Sequence, residues 1–197
     1  MGKKIVAIVG SYRRGGTTDT AVEAVLEGAR EKGVETHTIY LTDQHIEFCK
    51  NCRLCAQEPG PERGKCAQQD DLEPILREIE AADAVVLGSS INFGSVTAVF
   101  RRFLERLIGY AYWPWGGMPK PRKKLPTRRA VLVASSSMPG FLIPLLTGVA
   151  STLRLTAKML GAKTVGTLWI GLAAMKPRHP LSAKNRERAR RMGWRLA

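Results

Sequence analysis

Lys4-Ile-Val-Ala-Ile-Val-Gly10 runs straight into Ser11-Tyr-Arg-Arg-Gly-Gly-Thr-Thr18. The first seven residues form a continuous apolar, β-branched run, which predicts a strand buried on both faces, as in a parallel sheet. The Gly/Ser/Thr loop after it leads into residues 19–32. There Ala21, Val22, Val25, Leu26 and Ala29 recur at helical spacing, with Glu23, Glu27 and Glu31 on another face. Gly33 ends that helix in the C′ role. Residues 34–41 alternate as a second strand.

The alternation continues outward. Asp70-Asp71-Leu-Glu-Pro starts a helix to about Ala81, its acidic residues in the first turn where the dipole favours them. That placement reads Asp70 and Asp71 as capping groups rather than a catalytic pair. Residues 83–89 are a third buried strand, 95–108 an amphipathic helix, and 129–134 a fourth strand. Residues 144–160 form a helix closed by Gly161, 163–170 a fifth strand, and 182–196 a basic terminal helix. Five alternations predict an α/β fold: a doubly wound five-stranded parallel sheet with right-handed crossovers, in the flavodoxin-like order 2-1-3-4-5. One domain is expected over 1–197, interrupted by a Cys-rich insertion at 42–69 and an aromatic and basic loop at 109–128. An irregular segment as long as the first is normally functional.

The 197 residues are 44% hydrophobic, enough for a globular core. The opening apolar run is too short for a signal peptide, and no small-residue cleavage site follows it. Val6 breaks the myristoylation pattern. No apolar run approaches membrane-spanning length. A cytoplasmic protein without a membrane partner is therefore expected, in which disulfides are disfavoured and clustered cysteines point to metal or catalysis.

Charge is lopsided: residues 1–105 carry a net −3 and residues 106–197 a net +17. Such a field attracts polyanions. A solvated basic surface is the plain reading, ahead of an acidic partner protein, with nucleic acid unlikely.

All four cysteines stand in one window, Cys49-Lys-Asn-Cys52-Arg-Leu-Cys55 and Cys66. C-x2-C-x2-C lets three soft thiolates converge from one loop, as a cubane iron–sulfur cluster requires, with a fourth ligand from further off. Zinc also accepts four thiolates, and unliganded thiols are the third reading. His45 lies four residues before Cys49, so a mixed site competes with a solvated loop histidine; His37 and His179 are scattered.

In a doubly wound sheet, ligands bind beyond the carboxyl ends of the strands at the switch point. Three loops meet there: 10–18, 89–95 and 135–141. The first places hydroxyls and a glycine pair before a helix N-terminus, which suits phosphate, with Arg13 or Arg14 adding charge. It matches neither G-x-G-x-x-G nor Walker A. Its plain reading is a βα turn with Thr17 or Thr18 as N-cap. Gly88-Ser-Ser-Ile-Asn-Phe-Gly-Ser95 offers exposed amides and an aromatic for a flat ring, or else an N-cap turn with a buried Phe93. Ala134-Ser-Ser-Ser-Met-Pro-Gly140 is again small and polar. One phosphate loop and two ring loops describe a mononucleotide cofactor. Tyr110, Tyr112, Trp113 and Trp115 crowd one loop as a lid, a subunit contact or local packing. No nucleophile–base pair is evident, so hydrolase chemistry has no support.

The motifs occur in a recognisable order. Gly10-Ser11, Arg13 and Gly16-Thr17-Thr18 come first, then the four cysteines with Asp70-Asp71-Leu. Ala82-Asp83-Ala-Val-Val-Leu-Gly-Ser89, Phe93-Gly94 and Phe103-Leu-Glu-Arg106 complete the series. This resembles the iron–sulfur flavoproteins of the flavodoxin-like NAD(P)H-dependent FMN reductase superfamily, most specifically over residues 4–107. The resemblance implies non-covalent FMN, its phosphate on Ser11, Arg13, Gly16, Thr17 and Thr18. The isoalloxazine would lie over Ser90, Ile91, Asn92, Phe93 and Gly94, with Ser135, Ser136 and Ser137 on the other side. It further implies a [4Fe–4S] cluster on Cys49, Cys52, Cys55 and Cys66, and a homodimer or homotetramer. The chain departs from the family in having Ser90 and Asn92 where Pro and Tyr are usual. Arg101 or Arg102 stands for Lys, Glu105 for Asp, and ten residues separate Cys55 from Cys66.

The expected function is FMN-dependent electron transfer between a donor, ferredoxin or NAD(P)H, and a small-molecule acceptor such as a quinone, flavin or oxygen species. The alternatives are a cluster-free NAD(P)H-dependent FMN or quinone reductase, and a non-enzymatic carrier whose basic half docks an acidic ferredoxin.

Overall fold

The computed structural model describes residues 2–122, 125–175 and 180–197; the sequence readings that fall on Lys123, Lys124 and His179 lie outside them. The strands are β1 (Lys4–Gly10), β2 (Glu35–Tyr40), β3 (Ala84–Asn92), β4 (Ser95–Val96), β5 (Ala111–Tyr112), β6 (Lys120–Pro121), β7 (Arg128–Ser135) and β8 (Ala162–Ile170). The helices are α1 (Thr17–Arg30), α2 (Leu72–Ala81), α3 (Ala98–Glu105), α4 (Ile143–Leu146), α5 (Val149–Met159) and α6 (Ala183–Leu196). The main sheet runs β2-β1-β3-β7-β8, all parallel, which is the predicted order.

Period-two alternation explains why the sheet is covered twice. Along β1, Val6 and Ile8 join one core with Val85, Leu87 and Leu132, under α2, α3 and α5. Ile5, Ala7 and Val9 point the other way, into a second core with Val86 and Val133 under α1 and α6. Both cores are dry, so the central strands are apolar throughout. The edge strand β2 instead alternates exposed Glu35 and His37 with half-buried Thr36 and Thr38.

Two glycines set how closely the helices pack. A Cβ on Gly28 would collide with the Arg190 carbonyl oxygen, and one on Gly193 with that of Val25. Helices α1 and α6 therefore touch backbone to backbone.

Two predicted helices come out differently. Residues 95–108 are not one helix. Asn92 pairs with Ser95 across a tight turn in which Phe93 (φ 48°) and Gly94 (φ 73°) are both left-handed, the conformation a two-residue hairpin needs. Helix α3 begins only after Thr97, whose Oγ1 accepts from the Phe100 N–H, and a 3-10 turn follows it over Arg106–Tyr110. The helix expected over 144–160 is broken into α4 and α5, bent by 75°. Extended Thr147 turns its hydroxyl back to the Ile143 carbonyl, and the Gly148 N–H donates to Gly94 across the hairpin turn. Among the described residues no single helix is long and apolar enough to cross a membrane.

Candidate functional site

Sheet register brings the three predicted loops together. Gly10 is level with Ser89, and Ser90 with Ser135, so the carboxyl ends of β1, β3 and β7 form one ledge. On that ledge four hydroxyls make a connected chain. Thr18 Oγ1 lies 2.7 Å from Ser135 Oγ and 3.1 Å from Ser90 Oγ. Ser90 Oγ donates to Ser11 Oγ at 3.2 Å, and the Arg13 N–H donates to the same Ser11 oxygen at 3.4 Å. Ser11, Thr18 and Ser135 are buried. Each hydroxyl can both donate and accept, so the chain can turn its protons toward an anion.

The N-terminus of α1 faces this chain. Its N-cap is Gly16, not Thr17 or Thr18; those two are the first helical residues, and no side chain caps the helix. The leading N–H groups of a helix lack intrahelical acceptors and carry the positive end of the dipole. Asp19 holds the loop from the other side. Its Oδ2 accepts from the Gly15 N–H at 2.6 Å and its Oδ1 from the Tyr40 hydroxyl at 2.8 Å. Burial, and then the Asp19 carboxylate, raise the Tyr40 phenol above its ordinary pKa and keep it a donor. Arg14 is spent on bracing: it pairs with Asp43 and lies over the Tyr40 ring. Arg13 stays at the exposed surface of the loop.

The ring loops divide into two roles. In the β3–β4 hairpin Ile91 is half-buried, Asn92 and Gly94 are exposed, and Phe93 is fully exposed rather than buried. Behind them Thr97 Oγ1 donates to the Gly10 carbonyl at 2.6 Å, tying the hairpin base to β1. Ser136 spends its hydroxyl on its own loop, accepting from the Met138 N–H at 3.2 Å, while Ser137 is exposed. The structure thus joins Ser11, Thr18, Ser90 and Ser135 in one network, with Asn92 and Phe93 at a tip beside it.

The cysteine loop is shaped by backbone that side chains rarely adopt. Asn51 (φ 53°) and Arg53 (φ 58°) are left-handed, and a short 3-10 turn over Leu54–Ala56 buries Cys55. Gly64 lies against the Cys55 carbonyl where a Cβ would not fit, and its N–H donates to the Gly109 carbonyl. The second irregular loop clamps the first. Arg122 donates to the carbonyls of Cys55, Gly60 and Gly109. The Arg53 guanidinium lies between Trp113 and Trp115, 3.9 and 4.2 Å from the ring centroids, and bonds the Trp113 and Pro114 carbonyls. The Trp113 indole therefore packs on the cysteine loop.

Burial, followed by the neighbouring Cys66, Cys49 and Cys52, pushes the Cys55 thiol up to about 11. Cys49, Cys52 and Cys66 thus all lie within electrostatic reach of Cys55, and thiolates are the donor type that iron–sulfur ligation uses. Among the described residues, no three His, Cys, Asp or Glu stand as the ligand set of a single metal ion. The exposed His45 pairs with Glu47 and joins no cysteine.

Arg106 is the residue that spacing alone did not single out. Its side chain is 1% exposed, as is that of Asp70, with which it pairs at 2.6 Å. Its Nη2 also donates to Cys66 Sγ at 3.3 Å, and its Nη1 to the Glu47 carbonyl. The expected capping role does not hold: the N-cap of α2 is Asp71, and no side chain caps the helix. Asp70, one residue earlier, accepts from the Leu72 N–H, from the Glu47 N–H and from Arg106. Asp71 accepts from the His45 N–H. The available signal was an arginine closing Phe103-Leu-Glu-Arg106 on a helix face that is otherwise apolar.

A parallel sheet in this order, with a hydroxyl ledge at its switch point beside a helix N-terminus, defines the flavodoxin-like fold with a candidate ligand site at the position such folds use. More narrowly, the chain belongs to the NADPH-dependent FMN reductase family, whose model matches residues 3–174. That is a family of flavin oxidoreductases. The chain is 31% identical over 111 residues to an iron-sulfur flavoprotein of Archaeoglobus fulgidus, covering 56% of this chain and 48% of that one. It is 36% identical over 103 residues to an iron-sulfur flavoprotein of Methanocaldococcus jannaschii, covering 52% and 51%. The chain spans about half the length of the curated relatives it matches. In fold it is similar to an NAD(P)H:quinone oxidoreductase from Methanothermobacter marburgensis, with a TM-score of 0.72 at 21% identity over 100% of both chains.

Proposed function

We propose that this chain is an FMN-dependent oxidoreductase passing electrons between reduced ferredoxin or NAD(P)H and a small acceptor such as a quinone, a flavin or an oxygen species. A [4Fe–4S] cluster on Cys49, Cys52, Cys55 and Cys66 is the one-electron port. The observation that carries the reading is the chain of hydroxyls from three loops at the N-terminus of α1.

Bound FMN supplies the exchange between paired and single electrons. The residues supply its place. Ser11, Thr17, Thr18 and the leading N–H groups of α1 hold the phosphate, with Arg13 adding charge and Gly16 leaving room for close approach. Ser90–Gly94 and Ser135–Ser137 flank the ring and offer hydrogen bonds to its polar edge. Cys49, Cys52, Cys55 and Cys66 offer thiolates, and Arg106 donates an N–H to the Cys66 sulfur. Hydrogen bonds to ligating sulfur are one way a protein sets cluster potential. Phe93, Phe141, Leu145 and Leu146 are exposed, which supports a second copy of the chain covering this end of the sheet in a homodimer or homotetramer.

A cluster-free NAD(P)H-dependent reductase is the second reading, favoured by the ten residues between Cys55 and Cys66. The deciding experiment is an anaerobic visible spectrum with FMN, iron and acid-labile sulfide quantified on one sample. Flavin with about four irons per chain supports the cluster. Flavin without iron or sulfide, after failed reconstitution, leaves the second reading. Absence of any flavin affinity overturns both.

A further inference from the structure

A cavity of about 540 Å³ opens at the end of the sheet opposite the hydroxyl ledge. It lies among the last turns of α2 and α5, the starts of β7 and β8, and the segment from Tyr110 to Arg122. Strand β7 connects the two ends: Arg128, its first residue, lines the cavity, and Ser135, its last, belongs to the ledge. Seven strand steps separate them by about 23 Å. The cavity is therefore not the flavin's site.

Its apolar lining is a floor of buried Leu160, half-buried Met159 and the ring of Tyr110, with Leu155 at the more exposed side. Its rim is cationic, and the cations differ in how well they are matched. Arg63 is answered by Glu73 and Glu80. Arg128 donates to the carbonyls of Glu80, Ala82 and Leu160, and so caps the C-terminal ends of α2 and α5. Among the described residues Arg122 meets carbonyls and no carboxylate. The side chains of Lys120 and Lys158 have neither an ion pair nor a hydrogen bond among the described residues. Against these three cations the rim sets one carboxylate that is unpaired among the described residues, Glu62.

Volume, floor and charge together select the ligand. The size suits a small organic molecule. A bare phosphate would leave the floor wet, and a neutral hydrocarbon would leave the ammonium groups unmatched. We propose that this cavity binds an aromatic carboxylate, its anionic group at Lys120 and Lys158 and its ring on Tyr110, Leu155 and Met159. Such a ligand rests against Arg122, whose guanidinium also holds the Cys55 carbonyl. It is placed to act on the cysteine loop from behind, not to meet a flavin. The proposal stands independently of the FMN and cluster assignments.

The test is calorimetric titration of the full-length protein, as purified with its cofactors, using 2-naphthoate and the neutral 2-naphthamide as probes. One 2-naphthoate per chain is expected, with the amide about tenfold weaker. The double variant Lys120→Gln/Lys158→Gln should bind 2-naphthoate about tenfold more weakly, with cofactor content unchanged. Both lysines are exposed, so the variant keeps its fold. Met159→Trp, which fills the floor, should weaken both probes. Equal binding of acid and amide, indifference to the lysine change, or no binding at millimolar probe each overturns the proposal.

Discussion

Thr18 was legible as a phosphate-loop hydroxyl or a candidate N-cap; the structure makes it the junction of two strands, because its hydroxyl meets those of Ser90 and Ser135. Thr18→Val keeps the shape and removes that junction, leaving buried hydroxyls short of a partner. A hydrogen bond of this kind is worth about 1 kcal/mol, more when a buried group is orphaned. FMN affinity should therefore fall by about tenfold, read by flavin fluorescence titration; unchanged affinity would remove the ledge from the phosphate site. Arg106 and Asp70 are the other lesson. Burial alone would raise the Asp70 pKa, but the Arg106 guanidinium and then the Glu47 and Leu72 N–H groups outweigh it and hold the carboxyl below its usual range. In the unfolded chain an aspartate titrates near about 3.9. The stabilisation is therefore complete above that value and is lost as pH falls through the lower folded one. Urea unfolding of the native chain should weaken below about pH 4, and Asp70→Asn should show a shallower acid limb together with lower stability at neutral pH. An identical acid limb in the variant would show that Asp70 does not report on folding. None of this followed from spacing, since a pair made by residues 70 and 106 is a product of the fold.

The buried strands were legible because β-branched runs with no polar interruption have few other places to go. Their short companions were not. The Ser95–Val96 strand is two residues long, below any periodic signal, so Phe93-Gly94 read as loop rather than hairpin turn. The break between α4 and α5 was hidden for a related reason. Thr147 is extended, and the Gly148 N–H after it goes to the Gly94 carbonyl, a partner on a different element. Helix α1 and its separate Glu face were legible, but the partner of that face was not. Glu27 and Glu31 meet Arg186 and Arg190 of α6. That contact depends on Gly28 and Gly193, where the two backbones touch. Gly193→Ala should cost roughly 1–3 kcal/mol, as overpacking does. A lowered urea midpoint checks this, and a midpoint within error of the parent would mean that α6 slides at little cost.

Across the molecule, the basic second half of the sequence is partly answered from within. Arg186 and Arg190 lie against acidic α1, and Arg106 against Asp70. Three of the eighteen basic residues after position 105 are thus answered by acids of the first half among the described residues. Only one of these pairs is buried. The α1–α6 pairs are partly exposed and worth about 0–1 kcal/mol each. Moving from low to high sodium chloride should therefore change unfolding stability by less than about 1 kcal/mol per exposed pair. A larger loss in a salt series of urea curves would show that the surface pairs act as a network.

The clamp on the cysteine loop has one more consequence, and it concerns time. The loop ends at Cys66, but its brace, Arg122, follows 56 residues later. A ribosome adds 5–20 residues each second, so roughly 3–11 seconds pass between the two. For that interval the thiols have been made and the groups that bury Cys55 have not. Whatever the nascent chain meets then, iron donor or oxidant, reaches Cys55 before the protein itself closes over it.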